Sequence, residues 1–315
     1  MADPGAQVIS RSDAGSSVAS PAVLRPQVAA FRRVVDLMTL TKPRVVLMVL
    51  VTTAVGYRLG SAGTPDWARL LQTLTGTALA AAGTLALNQY LERESDGLMR
   101  RTQHRALPDG RLAPREALVF GTLMTIFGLG YLAVVVGSLA AGVTLATTAL
   151  YLFLYTPLKR LTPLATLVGA VPGALPPLTG WVAARGELGP GGWILFAIVF
   201  LWQVPHTLAI ARLYEEDYAR AGIRVLPVVD PEGKSTERQI VLGSLALWAV
   251  ALLPTLVGLT GSLYFFGALA LGSAFLACGI AHALGPSRGS ARRVVLASIL
   301  LLPLLFALMA FDTLG

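Results

Sequence analysis

Charge is what this chain has least of. Asp, Glu, Lys and Arg make up 13% of its 315 residues and 55% are hydrophobic, whereas an ordinary soluble domain carries about 25% charged residues. That shortage, with a mean hydropathy of +0.67, excludes a soluble globular domain and leaves a polytopic membrane protein. Cysteine is scarcer still. Cys278 stands alone, so neither an intrachain disulfide nor a cysteine-built metal site is open to the fold, and Cys278 reads as a small core residue. Residues 1–30, rich in Ala, Ser, Gly and Pro, lack the apolar stretch of about 7–15 residues that a secretory signal requires. They read as disordered chain, with a tail over 1–35 and a membrane domain over 36–315. Asp3 and Asp13 count against an organelle transit peptide.

What charge there is falls in clusters, leaving uncharged runs at 45–57, 70–91, 117–158, 161–184, 188–211, 239–287 and 294–311. About 20 apolar residues cross the hydrocarbon core of a bilayer, so the runs of 42 and 49 residues each hold two helices. Breaks at Gly137-Ser138 and Thr260-Gly261-Ser262 divide them, and the short first run extends from Pro43 to Gly60 to reach across. The expectation is an all-α membrane protein of about nine transmembrane helices. Pro172, Gly173, Pro176, Pro177 and Gly180 crowd the fifth span and Pro205 interrupts the sixth. Such residues are tolerated where backbone faces protein or a wet cavity rather than lipid.

Alternate connections differ sharply in basic residues. The N-terminal segment and loops 91–116, 159–160, 212–238 and 286–293 hold 22 of the 25 Lys and Arg; the other side holds Arg58, Arg69 and Arg185. Because basic loops stay in the cytoplasm, the N-terminus and both large charged loops are expected there, with the C-terminus outside. A bacterial cell (inner) membrane is the expected location, ahead of a mitochondrial inner membrane. The net charge of +8 then reports topology. Dispersal of the basic residues over short loops argues against a nucleic-acid partner.

The segment "NQYLERESDGLMRRTQHRALPDGR" (88–111) ends the second run. Steps of four advance about 40° around a helix, so Asn88, Glu92 and Asp96 share one stripe about 12 Å long. Two readings fit that stripe alone: a solvated helix end in which Glu92 and Glu94 offset Arg93 and the arginines beyond, or a ligand site. A second cluster on the same side favours the site. The segment "WQVPHTLAIARLYEEDYARAGIRVLPVVD" (202–230) brings Glu215, Glu216 and Asp217, then Arg220 and Arg224, to the same mouth. Carboxylate and amide oxygens are hard donors suited to Mg²⁺ shared with phosphates, and arginine holds phosphate oxygens bidentately. A substrate with a diphosphate head and a hydrocarbon tail, such as a prenyl diphosphate, fits this arrangement. Metal and arginine would stabilise charge on the departing diphosphate. Tyr90, Tyr151, Tyr155, Trp181 and Trp202 could stabilise the allylic cation, or serve as packing and lipid-interface anchors.

The motif Asn88-x-x-x-Glu92-x-x-x-Asp96-x-x-Met99-x-Arg101-Thr102 resembles the first Asp-rich motif of the UbiA-type intramembrane prenyltransferases, in the form carried by the branch that farnesylates protoheme IX. "LTKPRVVLMVLVTTAVG" (40–56), "GALPPLTGW" (173–181), "WQVPH" (202–206) and "YEEDYARAGIRVLPVV" (214–229) are similar to further segments of that family, in matching order over residues 36–230. The last three spans agree in hydropathy only.

The resemblance implies about nine helices around a central cavity open toward the cytoplasmic side. It also implies Mg²⁺ dependence, farnesyl diphosphate as donor, and transfer of the farnesyl group to a vinyl carbon of heme b to make heme O. Asn88, Glu92, Asp96 and Asp217 would be the catalytic set and, with Glu216, would bind the metal; Lys42, Arg44, Arg101, Arg105, Arg220 and Arg224 would contact the diphosphate. Glu92 departs from the Asp often found in the family, and a single Asp217 between Tyr214 and Tyr218 replaces a spaced aspartate pair, which favours the heme branch over the 4-hydroxybenzoate branch. Downstream partners would be heme A synthase or cytochrome oxidase assembly factors. Histidine is limited to His104, His206 and His282. His206 is the leading axial ligand for heme iron, set against a histidine bonded to a carbonyl freed by Pro205; His104 could hold diphosphate, and His282 reads as structural.

Two other functions stand beside this one. A prenyltransferase acting on a quinone or chlorophyll precursor shares most of these features. A transporter would place its intramembrane acids near the midplane, whereas both clusters here fall at helix ends. A CDP-alcohol phosphotransferase is disfavoured because Asp96-Gly97 is not followed by Ala-Arg. Prenyl chain length is left open.

Overall fold

The protein was analysed as a computed structural model, which describes residues 26–61, 63–230 and 232–313. Ten helices carry the architecture: α1 (Pro26–Leu40), α2 (Pro43–Gly60), α3 (Trp67–Leu98), α4 (Pro114–Val136), α5 (Ser138–Leu158), α6 (Ala165–Arg185), α7 (Pro190–Leu213), α8 (Lys234–Leu256), α9 (Ser262–Leu284) and α10 (Arg288–Phe311). Among the described residues nine, α2 to α10, are long and apolar enough to cross a membrane, as the charge pattern predicts. One boundary shifts. Residues 26–35, read as disordered tail, belong to α1, because Arg33 reaches Glu116 and Asp36 pairs with Arg111 at 3.2 Å, holding the segment against α3 and α4. Residues 1–25 lie outside the described set.

Local chemistry sets where the helices begin. Pro43, Pro114 and Pro190 occupy first turns, where their missing N–H costs nothing. Asp66 caps α3 by accepting from the Arg69 amide at 3.0 Å, and Ser287 caps α10. The break between α4 and α5 falls at Gly137, with φ of 145°. The second long run breaks slightly earlier than expected, at residues 257–261 with Gly258 at φ 76°.

At 32 residues α3 is about 48 Å long, well beyond the roughly 30 Å of a hydrocarbon core. Its last three turns, carrying Asn88, Glu92 and Asp96, therefore form a charged end that the lipid core does not need to cover. The helices alternate in direction, so α2, α4, α6, α8 and α10 start at that end and α3, α5, α7 and α9 finish there. α6 is the centre of the bundle: 67% of its apolar window is buried, against 28% for α4 and α9. Its prolines Pro172, Pro176 and Pro177 sit inside a continuous helix, and Pro172 and Pro176 face a cavity rather than lipid. Cys278 is half-buried on α9.

Backbone contact fixes α2 against α6. A Cβ on Gly56 would fall within van der Waals distance of the Pro177 carbonyl oxygen, and one on Gly180 would do the same to the Thr53 carbonyl, so these two positions admit no side chain. The opposite end, poor in charge, is closed by two arginines. Arg69 donates through Nε to the Ala183 carbonyl at 2.8 Å and through Nη2 to the Val136 carbonyl at 2.7 Å, and Arg185 Nε donates to the Gly60 carbonyl at 2.8 Å.

Gly56→Ala should destabilise the detergent-solubilised protein by about 2 kcal/mol through overpacking, read as a fall in thermal midpoint. Gly130→Ala, where a Cβ meets open space, should leave the midpoint unchanged. Equal midpoints for the two variants would show that the α2–α6 crossing tolerates a methyl group.

Candidate active site

The stripe on α3 is buried, which rules out a solvated helix end: Asn88 is 1% exposed, Glu92 7% and Asp96 1%. Buried carboxylates require partners, and each has one. Glu92 Oε1 accepts from Asn88 Nδ2 at 2.7 Å and forms an ion pair with Lys159. Asp96 Oδ2 pairs with Arg105 Nη1 at 2.6 Å. Asn88 also donates to Thr156 Oγ1 at 3.2 Å, and its Oδ1 accepts from Lys42 Nζ at 3.2 Å.

Lys42 lies in the turn between α1 and α2 with φ of 48°, the left-handed conformation in a non-glycine residue. Such backbone costs on the order of 1 kcal/mol. Gln89 Nε2 holds the turn by donating to the Leu40 carbonyl at 2.7 Å. Burial, reinforced by the Arg105 charge, lowers the Lys42 ammonium from its ordinary value to about 8, against the opposing pull of Glu92 and Asp96. For Lys159 burial acts toward loss of the proton, but the Glu92 carboxylate outweighs it and the net shift is upward.

The second acidic cluster meets the first through loop backbone. Asp217, 9% exposed, sits in the first turn of the short helix Glu215–Arg220. Its Oδ1 accepts from the Arg100 amide at 3.4 Å and from Arg220 Nη1 at 3.1 Å. Arg101 bridges the clusters, donating to the Tyr218 hydroxyl at 3.3 Å with its guanidinium 4.9 Å from the Tyr214 ring centre. The Arg224 amide donates to the Lys159 carbonyl at 2.9 Å, and Met99, Ala221 and Ile223 form a small apolar cluster beneath. Three loops thus converge on one site.

A cavity of about 250 Å³ opens from this site between α2, α3, α5, α6 and α7. Leu85, one turn before Asn88, and Tyr155, one turn before Lys159, stand at its charged end. Its wall is apolar, with Val45, Ala81 and Pro176, and with threonines such as Thr84 and Thr148 whose hydroxyls bond each other at 2.9 Å. Residues 150–155 form a π-helical turn, a feature common at functional sites. It sets the Tyr151 and Tyr155 rings 5.3 Å apart on the cavity wall, with the Lys159 ammonium 5.6 Å from the Tyr155 ring centre.

The structure therefore brings Lys42, Asn88, Glu92, Asp96, Arg101, Arg105, Asp217 and Arg220 together. It does not bring in every residue named from the sequence. Glu216 is exposed and lines a separate cleft of about 470 Å³ with Arg212, Glu215 and Arg288; Arg44 is exposed, and Arg224 is exposed and contributes its backbone. His104 lies at the surface beside Gln103. His282 is fully buried between Ser290, at 2.7 Å, and Glu237, at 3.8 Å. His206 meets α10, not a carbonyl freed by Pro205: its Nδ1 lies 2.7 Å from Ser298 Oγ and its ring stacks on Trp202 at 4.6 Å. Of the five aromatics considered, Tyr151 and Tyr155 face the cavity; Trp202 donates to the Ser298 carbonyl at 2.7 Å, Trp181 packs in the main core and Tyr90 beside Leu40. Sequence reading missed Lys159. Its signal was present, since Lys159 and Arg160 are the sole charges between 117 and 184 and lie on the acidic side.

Paired acids and cations at the mouth of an apolar intramembrane cavity define a membrane-embedded transferase for substrates with a charged head and a hydrocarbon tail. Comparison with known proteins gives the class its family. The model of the UbiA prenyltransferase family matches residues 49–302. A protoheme IX farnesyltransferase of Solibacter usitatus is 49% identical over 89% of this chain and 99% of its own length, and that of Koribacter versatilis is 44% identical over 94% and 99%. In fold, a digeranylgeranylglyceryl phosphate synthase structure aligns over 89% of this chain and 98% of its own at a TM-score of 0.75 and 18% identity. An Archaeoglobus fulgidus UbiA homologue bound to GPP and Mg²⁺ aligns over 87% and 99% at 0.61 and 16% identity. The chain belongs to the UbiA prenyltransferase family, and it is a prenyltransferase.

Lys159→Met leaves the Glu92 carboxylate buried without a cation and should cost about 3 kcal/mol. Adding Glu92→Gln should recover much of that loss. A double-mutant cycle on unfolding free energy checks this, and strictly additive losses would mean that the pair does not interact.

Proposed function

We propose that this protein transfers the farnesyl group of farnesyl diphosphate to a vinyl carbon of protoheme IX, making heme O, at the cytoplasmic face of a bacterial inner membrane. The observation that carries the prenyl-transfer chemistry is the ring of buried acids and cations over the cavity mouth. The choice of heme as acceptor is supported by relatives named protoheme IX farnesyltransferase at 49% and 44% identity. The basic residues clustered at the acid-bearing end support a cytoplasmic N-terminus.

Lys42, Arg101, Arg105, Lys159 and Arg220 would receive the diphosphate, their positive charges compensating the leaving group as it departs. Glu92, Asp96 and Asp217 fit a divalent ion: each has one carboxylate oxygen committed to a cation and a second, Glu92 Oε2, Asp96 Oδ1 and Asp217 Oδ2, without a hydrogen-bond partner among the described residues. With Asn88 Oδ1 they supply hard oxygen donors. Because among the described residues no three acids or histidines converge on one point, one Mg²⁺ would be held by one or two of these carboxylates and completed by substrate phosphate. Such an ion would supply further neutralisation of the diphosphate. The apolar walls exclude water from the allylic cation, and the Tyr151 and Tyr155 faces stabilise it by about 0.5–2 kcal/mol each.

His206 is the proposed ligand for the heme iron of the acceptor. Ser298 Oγ donates its single proton to the Val295 carbonyl at 2.7 Å, so it accepts from His206 Nδ1–H. Nε2 then keeps its lone pair, as a metal-ligating histidine requires. Heme A synthase or oxidase assembly factors would receive the product.

In a host without its own heme O synthase, wild type should yield heme O by mass spectrometry, and Asp96→Ala should cut turnover about a hundredfold. EDTA should abolish transfer and Mg²⁺ restore it. Heme b alone, together with a prenylated aromatic product, would point instead to a quinone-type acceptor. Heme b titrated into the purified protein should give a histidine-type Soret band that His206→Ala lacks; an unchanged band in the variant would remove His206 from this role.

A further inference from the structure

We infer that a layer of three threonines, Thr77, Thr144 and Thr179, forms the floor of the cavity and limits the prenyl donor to three isoprene units. This deepens the farnesyl-transfer reading and rests on it for the position of the diphosphate. Each threonine is the cavity-lining residue of its helix farthest from the charged end. Thr77 is the first on α3, Thr144 the first on α5, and both helices run toward that end; Thr179 is the last on α6, which runs away from it. All three are buried, and the Thr144 and Thr179 hydroxyls lie 3.4 Å apart, joining α5 to α6 across the floor.

The depth follows from helix geometry. Thr77 lies eleven positions before Asn88 on α3, which places the floor about 16 Å from the charged end; Thr144 lies eleven positions before Tyr155 on α5, a somewhat shorter rise because residues 150–155 are π-helical. An extended isoprene unit adds four backbone bonds, about 5 Å. Three units reach the floor, two stop short, and a fourth would have to pass through it.

The layer beneath cannot yield readily. Leu132 is 0% exposed and its Cγ would lie 2.6 Å from a Cβ built on Gly76, one residue below Thr77. Further down, Arg69 ties α3 to the Ala183 and Val136 carbonyls. Close-packed interiors of this kind do not open a few ångströms without loss of contacts.

The test uses the full-length protein, with affinity for the non-hydrolysable thiodiphosphates of geranyl, farnesyl and geranylgeranyl read calorimetrically, and transfer to heme b from the corresponding diphosphates read by mass spectrometry. Wild type should bind and transfer farnesyl in preference to geranylgeranyl. Thr77→Leu and Thr144→Leu should each weaken farnesyl binding and transfer about tenfold or more while geranyl affinity is retained, which reports that the variants are folded. An unchanged farnesyl-to-geranyl ratio in both variants, or wild-type affinity for geranylgeranyl equal to that for farnesyl, would overturn the floor. Leucine variants that lose all three ligands equally with an unchanged thermal midpoint would overturn it as well. If the binding pattern appears as expected but wild type prenylates no heme, the floor stands and the heme-acceptor reading falls.

Discussion

Four buried acidic and amide side chains at the end of α3 and beside it set the terms for the rest of this protein. A carboxylate moved out of water into a low-dielectric setting must be compensated, and here the compensation comes from three separate loops: Lys159 for Glu92, Arg105 for Asp96, Arg220 for Asp217. The loops are thereby drawn over the cavity mouth, and with Lys42 and Arg101 the mouth becomes an array of five cations and three carboxylates. A diphosphate and a divalent ion arriving together bring charges of both signs, so they can enter such an array without stranding either set of side chains.

The hydrocarbon half of the site follows from different physics. Helices gain little from the hydrophobic effect inside lipid and associate through close packing, so the bundle relies on positions such as Gly56 and Gly180 where backbones touch. The same central helix that packs so tightly against α2 carries Pro172, Gly173 and Pro176 on its cavity face. Small residues and prolines make α6 a wall that stays smooth and apolar. On α3 and α5, Thr84, Thr144 and Thr147 donate to carbonyls of their own helices, Thr84 to Ala80 at 2.8 Å, so a polar residue type still presents a dry surface at these positions. Head and tail chemistry meet at Tyr151 and Tyr155, where the π-helical turn delivers two aromatic faces beneath the cations.

Much of this was legible because membranes impose a strict code. Hydrocarbon thickness fixes span length, and charge is expelled to the ends, so nine helices and the shared end of both acidic clusters could be read from residue spacing. The site was legible where spacing alone suffices, as for Asn88, Glu92 and Asp96 on one stripe. It was less so where two segments must meet. Lys159, in a two-residue charged loop, signals by its isolation only which side it lies on, and acquires its role beside Glu92. Glu216 and Asp217 are neighbours in the chain, yet consecutive residues of a helix turn about 100° apart, and only Asp217 faces the site.

The sequence by itself determined the class of protein, the number of spans, the end of the bundle where chemistry occurs and the acids that line one helix face, because each rests on local periodicity or on the cost of charge in lipid. Tertiary structure decided which cation neutralises which acid, that His206 meets Ser298 on α10, and how deep the cavity runs. Those depend on the rotation and axial offset of helices far apart in sequence, set by backbone packing at small residues, and no single segment contains that information.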